Sequence, residues 1–305
     1  MVSEAGRAPL LSSSKRKVLA AYVKARGNAL VAAEIAGVSR QYVYEVLASL
    51  RSRGIRLRAY PSLAALGRVF LVFLPEEKFP RSDLTAARLA VYTVSGCREE
   101  AAVYVIPREA GLKAGLPLPP GSRAHELLDV IPAAPLTEIQ RLRPKAEGLP
   151  TPELATLDED DKAIMLALYE DLTKPLAKAL PTVGKSRLSY HYRRHVKPLL
   201  RILPDYNPRG FHSKPLLLAR VKASSEEWIA AMAEAEEAYL LMPETSRLSA
   251  FALLEVDDTF TFLKSLASAR RAGLDLRVTV LGYIDPYESE GFYLPPAFFQ
   301  VKRVS

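Results

Sequence analysis

Two stretches of this chain share a spacing that leaves few folds open. Ala33, Gly37, Val38, Ser39, Val43 and Val46 follow the order Ala-x-x-x-Gly-Val-Ser-x-x-x-Val-x-x-Val, the spacing of a helix-turn-helix. Downstream, Leu176-Ala-Lys-Ala-Leu180 followed by Gly184-Lys-Ser-Arg-Leu-Ser-Tyr-His-Tyr-Arg-Arg-His195 reads as a second one, with a longer turn and Pro181 where Gly37 stood. A small residue at 33 lets two helices approach. Gly37 takes a left-handed turn cheaply because it lacks a Cβ. Two such units predict double-stranded DNA as the partner and half-sites about one helical turn apart.

The charge follows the same two segments. Residues 14–60 hold ten Lys/Arg against two Asp/Glu, and residues 174–214 hold ten against one, in a chain of net charge +8. The rest of the chain is therefore acidic. Phosphate contact needs cations placed in this way, because neutralised phosphates release their condensed counterions. Hydrophobic residues make up 49% of the 305, enough for real cores and against wholesale disorder. No apolar run has the length of a bilayer span. Met1-Val-Ser-Glu-Ala-Gly-Arg7 lacks the layout of a secretory leader, so the cytoplasm is expected. Cys97 is the single cysteine, which excludes an internal disulfide, and it reads as a small buried hydrophobe.

Hydrophobic periodicity and breakers divide the chain into seven parts. These are an arm (1–13), a winged helix-turn-helix (14–60), an α/β unit (61–143), a linker (144–156), a second winged helix-turn-helix (157–213), a second α/β unit (214–285) and an aromatic tail (286–305). In the first part of the pattern Ser14 caps a helix to about Arg26, Asn28 caps the next, and Ser39 caps the third, which ends near Gly54. Ile55–Tyr60 alternates like a wing. The first α/β unit reads as a strand at 69–74, a helix at 82–89, strands at 90–94 and 101–106, a helix at 122–130 and a strand at 136–142. The second reads as a strand at 216–221, a helix at 226–240, strands at 239–245 and 248–256, a helix at 259–272 and a strand at 276–284. The predicted fold class is α+β: two winged helix-turn-helix domains alternating with two ferredoxin-like βαββαβ domains, an internal duplication. The two α/β units are expected to pair through their sheets.

Leu157-Asp-Glu-Asp-Asp-Lys-Ala-Ile164 resembles the opening helix of Lrp/AsnC-type transcription regulators. Leu50-Arg-Ser-Arg-Gly-Ile55 and Pro61-Ser-Leu-Ala-Ala-Leu-Gly67 are similar to that family's connection into its effector domain. Val94-Ser95-Gly96 stands where the family carries its effector-loop glycine. The resemblance implies a DNA-reading helix-turn-helix and a ferredoxin-like domain that self-associates and often senses a small molecule. Ser95 and Gly96 would then face that effector. Ordinary members carry one copy of each domain, whereas this chain would imitate a dimer internally, and Glu244-Thr-Ser-Arg-Leu248 replaces the loop in its second half.

The residues expected to meet DNA follow from helix faces. Arg pairs bidentately with guanine and Gln with adenine, so Arg40 and Gln41 are the base readers, with Ser39 beside them. Tyr44, Arg51, Arg53, Arg56 and Arg58 are expected on phosphates. Lys185, Ser186, Ser189, Tyr190 and Arg193 take matching positions in the second unit, flanked by Arg187 and Arg194. His191 and His195 are four apart on one helix, but Arg193 and Arg194 stand beside them. A packing or phosphate role is therefore expected, and no metal or cofactor. Gly184-Lys185-Ser186 lacks the upstream glycine of a phosphate-binding loop.

Three other readings stand beside the regulator: an architectural or chromatin protein with little sequence preference, a protein-binding scaffold, and an enzyme resembling the siroheme decarboxylases. The last use a similar pair of domains with catalytic His, Arg and aromatic residues in the α/β units. The four histidines, His125, His191, His195 and His212, fall on no expected strand. The chain is therefore expected not to be an enzyme.

Overall fold

Helix termini leave backbone groups unpaired, and side chains meet them at the starts of the helices that follow Asn28, Asp158 and Asp258. A computed structural model describes residues 12–52, 57–75, 82–108, 118–134, 137–151, 155–172, 174–204, 216–256, 258–290 and 292–299. The first bundle comprises α1 (Ser13–Lys24), α2 (Ala29–Ala36) and α3 (Arg40–Ser52). Ser12, not Ser14, stands at the start of α1. The Asn28 side chain accepts from the Leu30 and Val31 amides, and Gly37 ends α2 at φ +69°. Val43, Val46, Leu47 and Leu50 form the buried stripe of α3 against Val18, Tyr22, Ala32 and Ala33.

The segment read as a wing is β1 (Leu57–Pro61), and it does not hang free. It pairs antiparallel with β7 (Leu200–Pro204), the strand that leaves the second bundle, with Ala59 opposite Ile202. The second bundle contains α5 (Glu159–Glu170), α6 (Leu176–Ala179) and α7 (Lys185–His191). A π turn, Tyr192–Val196, then leads into α8 (Lys197–Leu199). Between the bundles, α4 (Leu63–Leu66) follows β1.

The α/β part is one nine-stranded sheet in the order β5-β2-β4-β3-β11-β8-β10-β9-β6. Its first unit is β2 (Arg68–Pro75), β3 (Thr85–Thr93), β4 (Arg98–Ile106) and β5 (Arg123–Leu127). Its second is β8 (Leu216–Lys222), α9 (Glu226–Met232), β9 (Ala238–Pro243), β10 (Ser249–Glu255), α10 (Thr259–Arg271) and β11 (Arg277–Glu290). Each unit places its fourth strand beside its first and its third beside its second. They join twice. β3 pairs with β11, Val91 opposite Ile284. β6 (Ile131–Pro132) pairs with β9, and Leu127 bridges Glu244.

Several expected elements differ. Residues 82–84 form a turn and Thr85 already opens β3, so the alanine-rich 82–89 is no helix. The expected helix at 122–130 is the strand β5, and the expected strand at 136–142 holds a single 3₁₀ turn at Ile139–Arg141. The helix at 226–240 stops at Met232. Sheet pairing overrides helix propensity at 85–89 and 123–127. Cys97 is exposed in the β3–β4 turn, not buried.

The sheet's inner faces make the main core. Leu71, Phe73, Val91 and Val103 of the first unit meet Leu218, Leu240, Phe251 and Leu253 of the second, with the Phe73 and Phe251 ring centroids 5.6 Å apart. Each such side chain contributes about 1.5–3 kcal/mol on burial. Ile229, Met232, Phe262 and Leu266 cover the second unit's outer face. After β11 the chain runs beside β3, where the Tyr293 and Ala297 amides donate to the carbonyls of Ala86 and Asp83, and α11 (Pro296–Phe299) buries Phe299. No helix among the described residues is long and apolar enough to cross a membrane.

Candidate nucleic-acid interface

The outward face of α3 is held ready by its inward one. Ser39 Oγ accepts from the Tyr42 amide at 3.1 Å, which starts the helix, and the apolar stripe fixes its rotation. Ser39, Arg40, Gln41, Tyr44 and Arg51 are all exposed. Arg40 donates to Tyr44 Oη from Nη2 at 2.8 Å, and its guanidinium lies 5.4 Å from that ring. Gln41 Nε2 donates to Glu45 Oε1 at 3.4 Å. An open groove of about 720 Å³ between α2 and α3 is bordered by Asn28, Leu30, Arg40, Tyr44 and Arg51. Behind it, burial pushes the Tyr22 hydroxyl up to about 12, helped by Tyr44 and Tyr192, so that ring is neutral core.

Arg58 is half-buried. It belongs to β1, in the strand pair that ties the two bundles, and its guanidinium lies 4.7 Å from the Tyr169 ring centroid. Arg53 and Arg56 lie outside the described residues, as does His212. Ser95 and Gly96 form the exposed turn between β3 and β4, where Gly96 adopts φ +82°.

In the second bundle Lys185, Ser186, Arg187, Ser189, Tyr190, Arg193 and Arg194 are exposed together, with Leu188 and Val196 turned inward. The unit is built differently from the first. None of the residues of α6 is buried, and Leu188 is the only buried residue of α7. Polar contacts take over. Asp158 and Asp161 make reciprocal hydrogen bonds to each other's backbone amides at the start of α5, and Arg187 is ion-paired with Asp160. His191 and His195 turn toward α5, each with Nδ1 3.0 Å from a carboxylate oxygen of Asp161.

Where the bundles meet the sheet, Asp129 is fully buried. It accepts from Ser62 Oγ at 2.6 Å and the Ala64 amide at 3.3 Å, and Arg201 lies 3.5 Å away. Burial raises its carboxyl above the ordinary range, against the opposing pull of Arg201 and its hydrogen bonds.

A second polar cluster lies at the seam between the α/β units, and the reading of 122–130 as a helix hid it. His125, on β5, has Nδ1 3.0 Å from Glu244 Oε1, and Arg220 of β8 donates to Glu244 Oε2 at 2.8 Å. The His125 ring lies 4.9 Å from Phe251 and 5.9 Å from Phe73, so these rings pack together where the two units meet. Arg123, also on β5, lies over Phe73 and pairs with Glu99. Burial alone would raise Glu244. Hydrogen bonds from Ser249 and Arg220, the Arg220 charge and the His125 contact outweigh it and hold the carboxyl below its usual range. A signal for β5 was present in the Pro-Pro-Gly turn at 119–121, which sends a short alternating run, Arg-Ala-His-Glu-Leu, back along β2.

No family model matches this chain, and no curated relative does. Among solved structures it is similar to the siroheme decarboxylase NirDL in complex with an iron-uroporphyrin III analogue, at 12% identity and a TM-score of 0.44. The alignment covers 88% of this chain and 91% of that one. A likeness of that size carries no chemistry from one protein to the other. The expectation that the chain is not an enzyme is nevertheless withdrawn: the matched protein is an enzyme, and the exclusion assumed histidine-free α/β strands, whereas His125 lies on β5.

Proposed function

We propose that this chain binds duplex DNA through two helical readers carried on one polypeptide. The observation that carries the reading is the division of α3 into two faces. Val43, Val46, Leu47 and Leu50 are buried, while Ser39, Arg40, Gln41 and Tyr44 are left to solvent on the N-terminal half. That half is the part of a recognition helix that reaches base edges. Lys185, Ser186, Ser189, Tyr190 and Arg193 form the corresponding surface of the second unit. The β1–β7 pair couples the two bundles, so both would present their readers together, as the Lrp/AsnC resemblance implies.

The test is selection of bound sequences from a random duplex pool, followed by binding curves at several salt concentrations. A preferred bipartite site is expected. Arg40→Ala with Gln41→Ala should erase the preference, at about 1–3 kcal/mol per lost base contact, and leave the salt-dependent component largely intact. Binding that random DNA competes away fully points instead to an architectural protein, and no binding at low ionic strength ends the proposal.

A second reading, decarboxylation of a tetrapyrrole, is favoured by His125 standing with Arg123 and Arg220 on strands of the two units. Absorbance titration with an iron-uroporphyrin decides it: a shifted Soret band lost in His125→Ala supports it, and an unperturbed spectrum removes it.

A further inference from the structure

The second bundle holds a constellation that neither the DNA reading nor the seam uses. Asp158, Asp161, His191 and His195 each offer one ligand atom, and these atoms all lie within 4.8 Å of one another. We propose that they bind one divalent transition-metal cation of the zinc class, clamping α5 to the end of the second recognition helix. The proposal is independent of whether that helix reads DNA.

The distances suit a cation. Zinc bonds of about 2.0–2.2 Å in a tetrahedron leave neighbouring ligand atoms about 3.3 Å apart. Here His191 Nδ1 lies 3.0 Å from Asp161 Oδ1 and 3.4 Å from Asp158 Oδ2, and His195 Nδ1 lies 3.2 Å from the same Asp161 Oδ1; the wider separations, up to 4.8 Å, close when the ion binds. Both histidines aim the same nitrogen at one carboxylate that is fully buried. The π turn at Tyr192–Val196 follows His191 directly and carries His195.

Donor and acceptor roles point the same way. If His191 were neutral and gave its Nδ1 proton to Asp161, its bare Nε2 would face Asp160 Oδ2, 3.4 Å away, acceptor against acceptor. With a metal on Nδ1, the Nε2–H donates to Asp160, the outer carboxylate that fixes a ligating ring. Three carboxylates meet here with one paired arginine, Arg187, so a dication balances the local charge. Mixed imidazole and carboxylate ligands favour zinc-class ions over magnesium or calcium, which take oxygens. Arg193 and Arg194, which the sequence set against a cation, are exposed to solvent. The ion would give this sparsely cored bundle the staple that the first bundle obtains from apolar packing.

The test uses the full untagged chain, stripped with a chelator and titrated with Co²⁺, then Zn²⁺. Uptake of one equivalent is expected, with visible Co²⁺ bands of low coordination number that Zn²⁺ displaces and a rise in Tm. His191→Ala with His195→Ala should weaken binding about 100-fold or more. Asp158→Ser keeps a helix-capping hydroxyl and removes a ligand, so it should fold normally and bind about tenfold more weakly. Absence of stoichiometric uptake by the unsubstituted chain overturns the proposal and leaves a histidinium–carboxylate network. So does affinity in Asp158→Ser and in the double variant equal to that of the unsubstituted chain.

Discussion

Asp129 offers the sharpest test of how the two bundles are held on the sheet. Its carboxylate accepts from Ser62 and the Ala64 amide beside α4 and faces Arg201 of β7, so one buried group joins both halves of the chain. In Asp129→Ala the Ser62 hydroxyl and the Ala64 amide lose their acceptor in a site where both residues are buried, and Arg201 loses its counter-charge. Unsatisfied buried donors cost about 1–3 kcal/mol each, and breaking a buried pair about 3–5 kcal/mol in all. That is a large part of an ordinary domain's stability of about 5–15 kcal/mol. Asp129→Asn separates charge from hydrogen bonding. Burial raises the carboxyl in the folded state, so the fold favours the uncharged form. The stabilisation from that shift is fully present below the unfolded pKa of about 3.9 and is lost as pH rises through the raised value. The amide keeps an acceptor for the Ala64 amide and can donate to Ser62, but like alanine it leaves Arg201 without its counter-charge; it is therefore expected to cost less than alanine near neutral pH, and to match wild type less well as the pH falls. Urea denaturation followed by far-UV circular dichroism at several pH values measures both variants. An alanine variant within about 1 kcal/mol of wild type, or an asparagine variant as damaged as the alanine one, refutes the reasoning.

Three further outcomes are expected. Gly282→Ala puts a methyl 2.4 Å from the Tyr92 carbonyl oxygen at the β3–β11 seam, and should destabilise by about 1–3 kcal/mol, with amide exchange quickening along both strands. Glu244→Gln removes a carboxyl held below its usual range. The stability it gives is present above the unfolded value and lost as pH falls through the folded one, so the gap from wild type should shrink on acidification in thermal melts. Arg58→Ala should cost at least about 0.5–1 kcal/mol through its lost stacking on Tyr169 and leave the salt dependence of DNA binding unchanged; a shallower slope would return Arg58 to the phosphates.

The parts of the fold legible in the sequence are those set by neighbours in the chain. Asn28, Gly37 and Ser39 mark the helix ends, and the apolar stripe of α3 follows from periodicity alone. The second α/β unit was nearly complete in the sequence, because its strands and helices alternate with clear breakers. The first was not: residues 85–89 and 123–127 hold alanines that suit a helix, and only pairing with β4 and β2 makes them strands. The missed sites share a cause. His125 meets Glu244 across 119 residues, and Asp161 meets His191 and His195 across 30 and 34, distances at which spacing carries no signal. Arg58 read as a wing cation because its partner strand lies beyond residue 199.

The joining of the two halves by β3 with β11 and by β6 with β9 has a consequence for behaviour at low abundance. Identical surfaces on separate molecules would come apart on dilution, whereas here the covalent link fixes their effective concentration. If the chain reads a two-part site as proposed, occupancy should rise with protein concentration as a simple one-molecule isotherm. The halves are also free to diverge, so a change in one does not have to be matched in the other.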